Sequence, residues 1–305
     1  MPKVTVLMPV YNGMPYLIEA IDSILNQTLK RFTFLIINDG STDETVQHLN
    51  HLDDTRLLIV HQPNRGLGAT LNRGIAMCKT EFIARMDADD VALPGRLEAQ
   101  LNFLGCHKEV GLVGTQYTHL STGGRNGFPS HLPCEYEAIY TALFRGRHAI
   151  CHPSIMCRKS LLKSIGGYRV EGIGEDWDMF LRMGEAAQLA NLKEVLLRYR
   201  LNSASVSVKQ LLDVRMRVNH ACHCAAQRAE GLPEISFDTF VAEQHRRSFL
   251  QRAGNAMDTY ALAQYRHALA EILGSPRILG YARLAWSAMC APRRTLHRMY
   301  RTIRS

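Results

Sequence analysis

The chain opens with a continuous apolar run, Val4-Thr5-Val6-Leu7-Met8, the pattern of a strand covered on both faces. Pro9-Val10-Tyr11-Asn12-Gly13 breaks the run. From Pro15 to Asn26 apolar residues return at Leu17, Ile18, Ile21, Ile24 and Leu25, a helical spacing with proline at its start. Phe32 to Ile37 repeats the strand pattern and ends at Asn38-Asp39-Gly40-Ser41, where Ser41 or Thr42 can cap a helix beginning near Asp43. Leu57 to His61 reads as a third strand. Gly66-Leu67-Gly68 opens a helix through Met77, and Phe82 to Met86 is a fourth strand. Strands alternating with helices at this spacing predict an α/β layer with a mainly parallel central sheet. Ligands of such sheets bind beyond the strand C-termini. Tyr11, Asp39, Arg65 and Asp87 all follow strand ends and are expected on one rim.

Further along, Pro94 to Leu104 has helical spacing and Val110 to Gly114 reads as a strand. Residues 117–146 are irregular, with loops at Gly123-Gly124 and Pro129. Ile150 to Met156 reads as a strand, Gly166-Gly167-Tyr168 as a turn, Glu175 to Glu185 as a helix and Val195 to Arg200 as a last strand. From Lys209 onward the pattern is helical, with turns near Gly231-Leu232-Pro233 and Gly274-Ser275-Pro276. The expected organisation is an α/β domain over residues 1–207 and a helical, basic C-terminal extension over 208–305.

A chain of 305 residues with 46% hydrophobic and 21% charged residues is long and apolar enough for a large core. The net charge of +8 is uneven. Pro276 to Ser305 contains no Asp or Glu, yet holds Arg277, Arg283, Arg293, Arg294, Arg298, Arg301 and Arg304. The basic character belongs to this tail, and no nucleic-acid-binding motif accompanies it. The eight cysteines are scattered without a CxxC pair, as expected of free thiols in a reducing cytoplasm. His220, Cys222, His223 and Cys224 cluster, but no second ligand pair lies at zinc-finger spacing. The apolar run at the N-terminus is too short for a signal peptide, and no run of about 18 apolar residues predicts a membrane span.

The candidate chemistry centres on Asp87-Ala88-Asp89-Asp90 at the end of the fourth strand. Carboxylates this dense repel one another unless a hard divalent cation, often shared with a phosphate, lies between them. The plainer alternative is a polar turn with Asp90 capping a helix. Tyr11 offers a ring for base stacking, or simply packing. Asp39 can accept a base N–H such as uracil presents. Arg65 and the amides near Gly66 and Gly68 can meet phosphate at a helix N-terminus. A second acidic cluster, Glu175-Asp176-Trp177-Asp178, suits either a helix N-terminus or a catalytic base.

Taken in order, Pro9-Val10-Tyr11-Asn12, Asn38-Asp39-Gly40-Ser41-Thr42-Asp43, Asn64-Arg65-Gly66, Asn72-Arg73-Gly74 and Asp87-Ala88-Asp89 resemble the successive motifs of family 2 glycosyltransferases, which have the GT-A fold. The resemblance is dense from Lys3 to about Gln116. It returns at His152-Pro153-Ser154, Gly174-Glu175-Asp176-Trp177 and Tyr199-Arg200 with Ser203 and Ser205, and stops near Val208. It implies inverting transfer of a sugar from a nucleotide-diphosphate donor, a UDP-sugar first, to a hydroxyl of a glycan or lipid-linked acceptor. It further implies that Pro9, Tyr11, Asn12, Asp39, Arg65, Asn72, Asp87, Ala88 and Asp89 bind the donor. Asp89 with Asp87 would hold Mg2+ or Mn2+, Asp176 would be the general base, and His152, Glu175 and Trp177 would line the acceptor side. Trp177 suits sugar stacking and core packing equally.

One position departs from the pattern. Many relatives carry His two residues after the Tyr-Arg pair, where this chain has Asn202, a weaker neutral ligand, which implies either looser metal binding or the use of His152 or Arg200 as third protein ligand. A sugar nucleotidyltransferase would want a Gly-rich basic loop after the first strand, which is missing here. A non-catalytic nucleotide-sugar-binding assembly protein would not need both Asp89 and Asp176. In the tail, Ile278, Leu279, Tyr281, Leu284, Trp286 and Met289 lie among arginines, followed by Leu296, Met299, Tyr300 and Ile303. Residues 278–289 suit packing on the catalytic domain or a second subunit, and 293–305 suit an anionic membrane surface. The expected location is the cytoplasm, with peripheral contact at the inner membrane face.

Overall fold

The computed structural model describes residues 1–169, 174–201, 208–246, 249–273 and 277–292. Strand β1 (Val4–Val10) is buried along its whole length. It pairs parallel with β2 (Phe32–Asp39) on one side and β4 (Phe82–Arg85) on the other. Strand β3 (Leu57–Gln62) pairs parallel with β2. The registers Val10↔Asn38 and Asp39↔Gln62 bring the C-terminal ends of these three strands to one edge.

The helices between them follow the apolar spacing. Helix α1 (Leu17–Leu25) buries Leu17, Ala20, Ile21 and Ile24, one stripe of a helical period. After α2 (Thr45–Asn50), helix α3 (Leu67–Met77) buries Thr70, Leu71, Gly74 and Ile75. Gly74 lets α3 approach the sheet, because a Cβ there would lie 2.3 Å from Leu7 Cδ1. Val6, Met8, Phe34, Ile24 and Leu97 belong to one core cluster, which joins the parallel strands to α1 and α4 (Arg96–Cys106).

The parallel pattern stops at β4. Strand β8 (Met156–Arg158) pairs antiparallel with β4 and with β6 (Val110–Leu120), while β5 (Val91–Ala92) pairs antiparallel with β9 (Gln188–Arg200). Strand β7 (Asn126–Pro129) lies antiparallel on β6. The sheet order is β3-β2-β1-β4-β8-β6-β9-β5, so the sheet is mixed, and the expected parallel arrangement occupies the part from β3 to β4.

Several local expectations are corrected. Ile150–Met156 is not a strand. His152–Ser154 forms a 3-10 turn around Pro153, which has no N–H for a ladder, and β8 begins only at Met156. The last strand begins at Gln188 rather than Val195. Residues 117–146 hold the end of β6, all of β7 and helix α5 (Tyr136–Phe144). Helix α6 (Lys159–Ser164) lies where no element was expected. Neither Ser41 nor Thr42 caps α2; Asp43 Oδ1 accepts the Thr45 N–H at 3.1 Å instead. Asp90 caps no helix, since α4 starts after Gly95. The expected turn at 274–276 lies outside the described residues.

The chain divides into two compact units, residues 1–117 with 132–199, and residues 118–131 with 200–305. The second unit takes up the chain again from Arg200. Residues 118–131 join the second unit because the Leu201 N–H donates to the Leu120 carbonyl at 2.8 Å and because Gly127 packs against Leu273. The first unit also contains helix α7 (Glu175–Ala186). The second unit contains α8 (Val208–Ala229), α9 (Phe237–His245), α10 (Phe249–Leu273) and α11 (Arg277–Cys290). His220 Nε2 lies 2.9 Å from the Ile235 carbonyl, which ties α8 to the turn before α9, and 3.3 Å from Cys224 Sγ on its own helix. No described helix is long and apolar enough to cross a membrane.

Candidate active site

The loops after β1, β2 and β3 are stitched together by their side chains. Tyr11, just past β1, is 53% exposed and presents its ring at the strand edge, while Pro9 is buried within β1. The Asn12 N–H donates to Ser41 Oγ at 2.9 Å, and Asn12 Oδ1 accepts the Thr42 N–H at 2.8 Å. The Gly13 N–H donates to Thr45 Oγ1 and the Met14 N–H to Asp43 Oδ2. The first two loops thus form one floor.

Asp39 is buried where β2 ends. Its Oδ1 accepts from Gln62 Nε2 at 2.6 Å and from the Arg65 N–H at 2.9 Å, and its Oδ2 accepts the Gly66 N–H at 2.9 Å. Asp39 therefore fixes the turn that opens α3. Gly40 has a φ of +78°, and a Cβ there would lie 2.7 Å from the Asn64 nitrogen, so the chain needs glycine at this close approach. Arg65 itself is exposed beside the N-terminus of α3, where amide dipoles favour an anion.

The loop after β4 carries the acidic group. One carboxylate oxygen each from Asp87, Asp89 and Asp90 lies within 4.8 Å of the others, and this is the sole such grouping of His, Cys, Asp or Glu among the described residues. Asp87, Ala88 and Asp89 are half-buried and Asp90 is buried. Three hard oxygen donors at this spacing fit Mg2+ or Mn2+, not a soft metal. Underneath lies Arg85, 4% exposed, with Nη1 2.5 Å from Asp87 Oδ2. The approach is an ion pair outside hydrogen-bond alignment, and Arg85 Nε and Nη1 have no hydrogen-bond acceptor among the described residues. Burial disfavours the Arg85 charge, but the nearby anionic groups, Asp87 first among them, together outweigh it and raise the guanidinium pKa. Arg96 Nη2 donates to the Arg85 carbonyl at 2.6 Å, fastening α4 under the same strand.

The second acidic cluster heads α7. Gly174, with φ of +95°, turns the chain into the helix. Glu175 Oε2 accepts the Gly174 N–H, and Asp176 Oδ1 accepts the Trp177 N–H, each at 2.9 Å. Both side chains are half-buried. Loss of water raises both carboxyl pKa values, with Asp176 adding to the rise at Glu175 and Asp87 to the rise at Asp176. Arg85 pulls both down. The two acidic clusters therefore share the field of one buried arginine. Trp177 Nε1 donates to the Leu143 carbonyl at 3.1 Å, which holds the indole against α5.

His152 and Asn72 meet at Tyr168. His152 Nε2 lies 2.8 Å from the Tyr168 hydroxyl. Burial, then the nearby Arg85 charge, depresses the His152 pKa well below 6.5, so the imidazole is neutral at neutral pH. Asn72 Nδ2 donates to the Tyr168 carbonyl at 2.7 Å, and Asn72 Oδ1 accepts the Tyr168 N–H at 2.9 Å. Both side chains, expected to touch ligand, brace this segment. Arg200 Nη1 donates to the Ser121 carbonyl at 3.3 Å. Asn202, Ser203 and Ser205 lie outside the described residues. Sequence reasoning passed over Arg85, Arg96 and Tyr168. For Arg85 a signal was present, a charge inside the otherwise apolar run Phe82–Met86.

Residues 5–166 match the model of the family described as Glycosyl transferase family 2. The putative glycosyltransferase EpsE of Bacillus subtilis is 33% identical over 263 residues, covering 83% of this chain and 91% of that protein. The O-antigen biosynthesis glycosyltransferase WbnJ of Escherichia coli is 32% identical over 68% of this chain and 83% of its own length. Among solved structures, the mannosyltransferase PcManGT from Pyrobaculum calidifontis, in complex with GDP-Man and Mn2+, aligns over 98% of this chain and 84% of that one, with a TM-score of 0.61 and 20% sequence identity. The fold shared with such structures is the GT-A fold.

Proposed function

The chain belongs to glycosyl transferase family 2, and from that premise we propose that it is an inverting, metal-dependent enzyme that moves a sugar from a nucleotide-diphosphate donor to a glycan or lipid-linked hydroxyl. The observation that carries this reading is the grouping of Asp87, Asp89 and Asp90 beyond β4, together with a second acidic pair, Glu175-Asp176, at the head of α7. Inversion needs one acidic site at the leaving group and another at the incoming hydroxyl.

On this reading Tyr11 stacks on the base, Asp39 accepts the base N–H, and the exposed Arg65 side chain meets phosphate. Asp87 and Asp89 would hold the divalent cation, which when bound offsets the charge that builds on the departing diphosphate. Asp176 takes the proton of the acceptor hydroxyl as that oxygen bonds to the anomeric carbon. The bond from that carbon to the diphosphate oxygen breaks, and its electron pair leaves with the nucleotide diphosphate. A base so placed contributes roughly 10²–10⁴-fold. Glu175 and Trp177 border the base, and His152 with Asn72 holds the Tyr168 wall.

A UDP-sugar is the first candidate donor, since uracil presents an N–H to a carboxylate such as Asp39. GDP-Man in PcManGT makes a GDP-sugar the second. The O-antigen role named for WbnJ supports a bacterial surface polysaccharide as acceptor. Its place of action on this reading is the cytoplasmic side of the membrane that presents such acceptors, with no nucleic acid among its partners. Calorimetric titration of the chain with UDP- and GDP-sugars, with and without Mn2+, tests the proposal. Metal-dependent binding of one of them supports it, and heat from neither in the presence of Mn2+ overturns it.

A further inference from the structure

Helix α11 is built inside out. The side facing α10 carries the small and polar contacts: Ser287 Oγ donates to the Ala261 carbonyl at 2.8 Å, and a Cβ on Gly280 would lie 2.9 Å from the Ala268 carbonyl oxygen. At its margin Arg283 reaches back to Glu271 at 2.9 Å and to Gln264 at 2.8 Å. The outer side is apolar and exposed. Ile278 is 81% exposed, Leu279 56%, Tyr281 59%, Trp286 49% and Met289 71%, with exposed Ala282 and Ala285 between them. At about 100° per residue these positions fall within one arc of about 160°, and no charged residue lies inside it. A soluble helix ordinarily shows the reverse pattern, and a contiguous apolar face of this kind marks a contact surface. Cover by a second subunit, one of the arrangements expected for residues 278–289, is the occupant to weigh against a lipid surface.

Charge selects the occupant. From Ile272 to Ser305 the sequence has no Asp or Glu and has seven arginines. A second copy would bring one cationic segment against another. An anionic lipid surface complements it, and each arginine near that surface contributes about 1 kcal/mol. With 14 residues α11 is about 21 Å long, too short to span a bilayer and long enough to lie in its interface. Trp286 and Tyr281 are the side chains that settle at headgroup level.

We infer that α11 is a membrane-docking helix. Its outer face, centred on Ile278, Met289 and Trp286, enters the headgroup boundary of a phospholipid bilayer whose anionic headgroups complement the net positive charge of the sequence from Ile272 onward. The inference deepens the membrane placement proposed above and does not depend on the transfer chemistry.

The full chain is tested by co-sedimentation with vesicles of phosphatidylglycerol and phosphatidylcholine, and with vesicles of phosphatidylcholine alone. The variant Ile278→Ser/Trp286→Ser/Met289→Ser changes exposed residues only and leaves the α10 contacts in place. The expected result is binding to anionic vesicles at low salt that weakens as salt screens the arginines, with about tenfold or greater loss in the variant. Calorimetric binding of nucleotide diphosphate with Mn2+, measured on the same samples, stays unchanged and separates failure of docking from failure of the transferase reading. The inference is overturned if the chain ignores anionic vesicles at low salt or if the variant binds them as the parent does. It is equally overturned if the parent is a dimer that the variant breaks and neither form binds vesicles, which would assign the face to a second copy.

Discussion

Arg85 Nη1 lies 2.5 Å from Asp87 Oδ2, joining a buried cation in β4 to the first carboxylate of the acidic group beyond it. The Asp87 side chain is 29% exposed and that of Arg85 is 5% exposed, so the arginine bears most of the desolvation. The contact places one positive charge where both acidic clusters feel it. Arg85→Met, Asp87→Asn and the double variant form a cycle that isolates the pair. Groups in direct contact couple by roughly 0.5–3 kcal/mol, and urea unfolding should return a value in that range. Additive effects of the two changes would mean that the pair is incidental. Arg85→Lys is expected to recover part of the coupling, since lysine restores the charge without the planar fork.

Asp176→Asn should abolish sugar transfer and leave Mn2+-dependent donor binding nearly intact, because the residue heads α7 and not the loops that surround the donor. Burial raises its carboxyl pKa. A general base works only when ionised, so kcat/KM should fall as pH falls through that raised value, with an acid limb above that of an ordinary aspartate. More than about a tenth of parental turnover in the variant would remove Asp176 from the role of base.

Asp89→Ala should weaken nucleotide-diphosphate binding with Mn2+ present, and EDTA should silence the parent. Asp39→Ala should weaken binding with or without metal. It should also cost roughly 1–3 kcal/mol of stability, because the Arg65 and Gly66 N–H groups and Gln62 lose their acceptor. Calorimetry with UDP alongside urea unfolding reads both effects. Equal UDP affinity in the parent and both variants would dismantle the nucleotide site.

The parallel strands and the rim were legible because buried strands read as unbroken apolar runs, as at Val4–Met8 and Phe32–Ile37, and because the acidic and glycine-rich loops follow them directly. The antiparallel part was not. Strand β8 is three residues long, and β9 begins in Gln188-Leu189-Ala190, where the pattern is mixed. Cys151-His152-Pro153 looked like strand by composition, but proline and the 3-10 turn decided otherwise. Tyr168 could not be found from its surroundings, since its partners Asn72 and His152 lie 96 and 16 residues away. Local spacing reports which face is buried; it does not report which buried polar groups meet.

His152 supplies the last test. In the folded chain its pKa lies well below 6.5, chiefly through burial and then through Arg85. Once unfolded it takes up a proton near 6.5, so below that pH the unfolded state binds more protons than the folded one. Its contribution to stability is complete above pH 6.5 and is lost as pH falls, by up to about 1.4 kcal/mol per pH unit. Glu175 and Asp176 act in the opposite direction, because their raised pKa values favour proton uptake by the folded state. Comparison of the parent with His152→Gln cancels those carboxyls and leaves the imidazole alone, while glutamine keeps an atom within reach of the Tyr168 hydroxyl. Urea midpoints between pH 7.5 and 5.5 should fall more steeply in the parent than in the variant. Parallel slopes would mean that His152 titrates in the folded chain as it does in water, and that the site around Tyr168 is wetter than its burial implies.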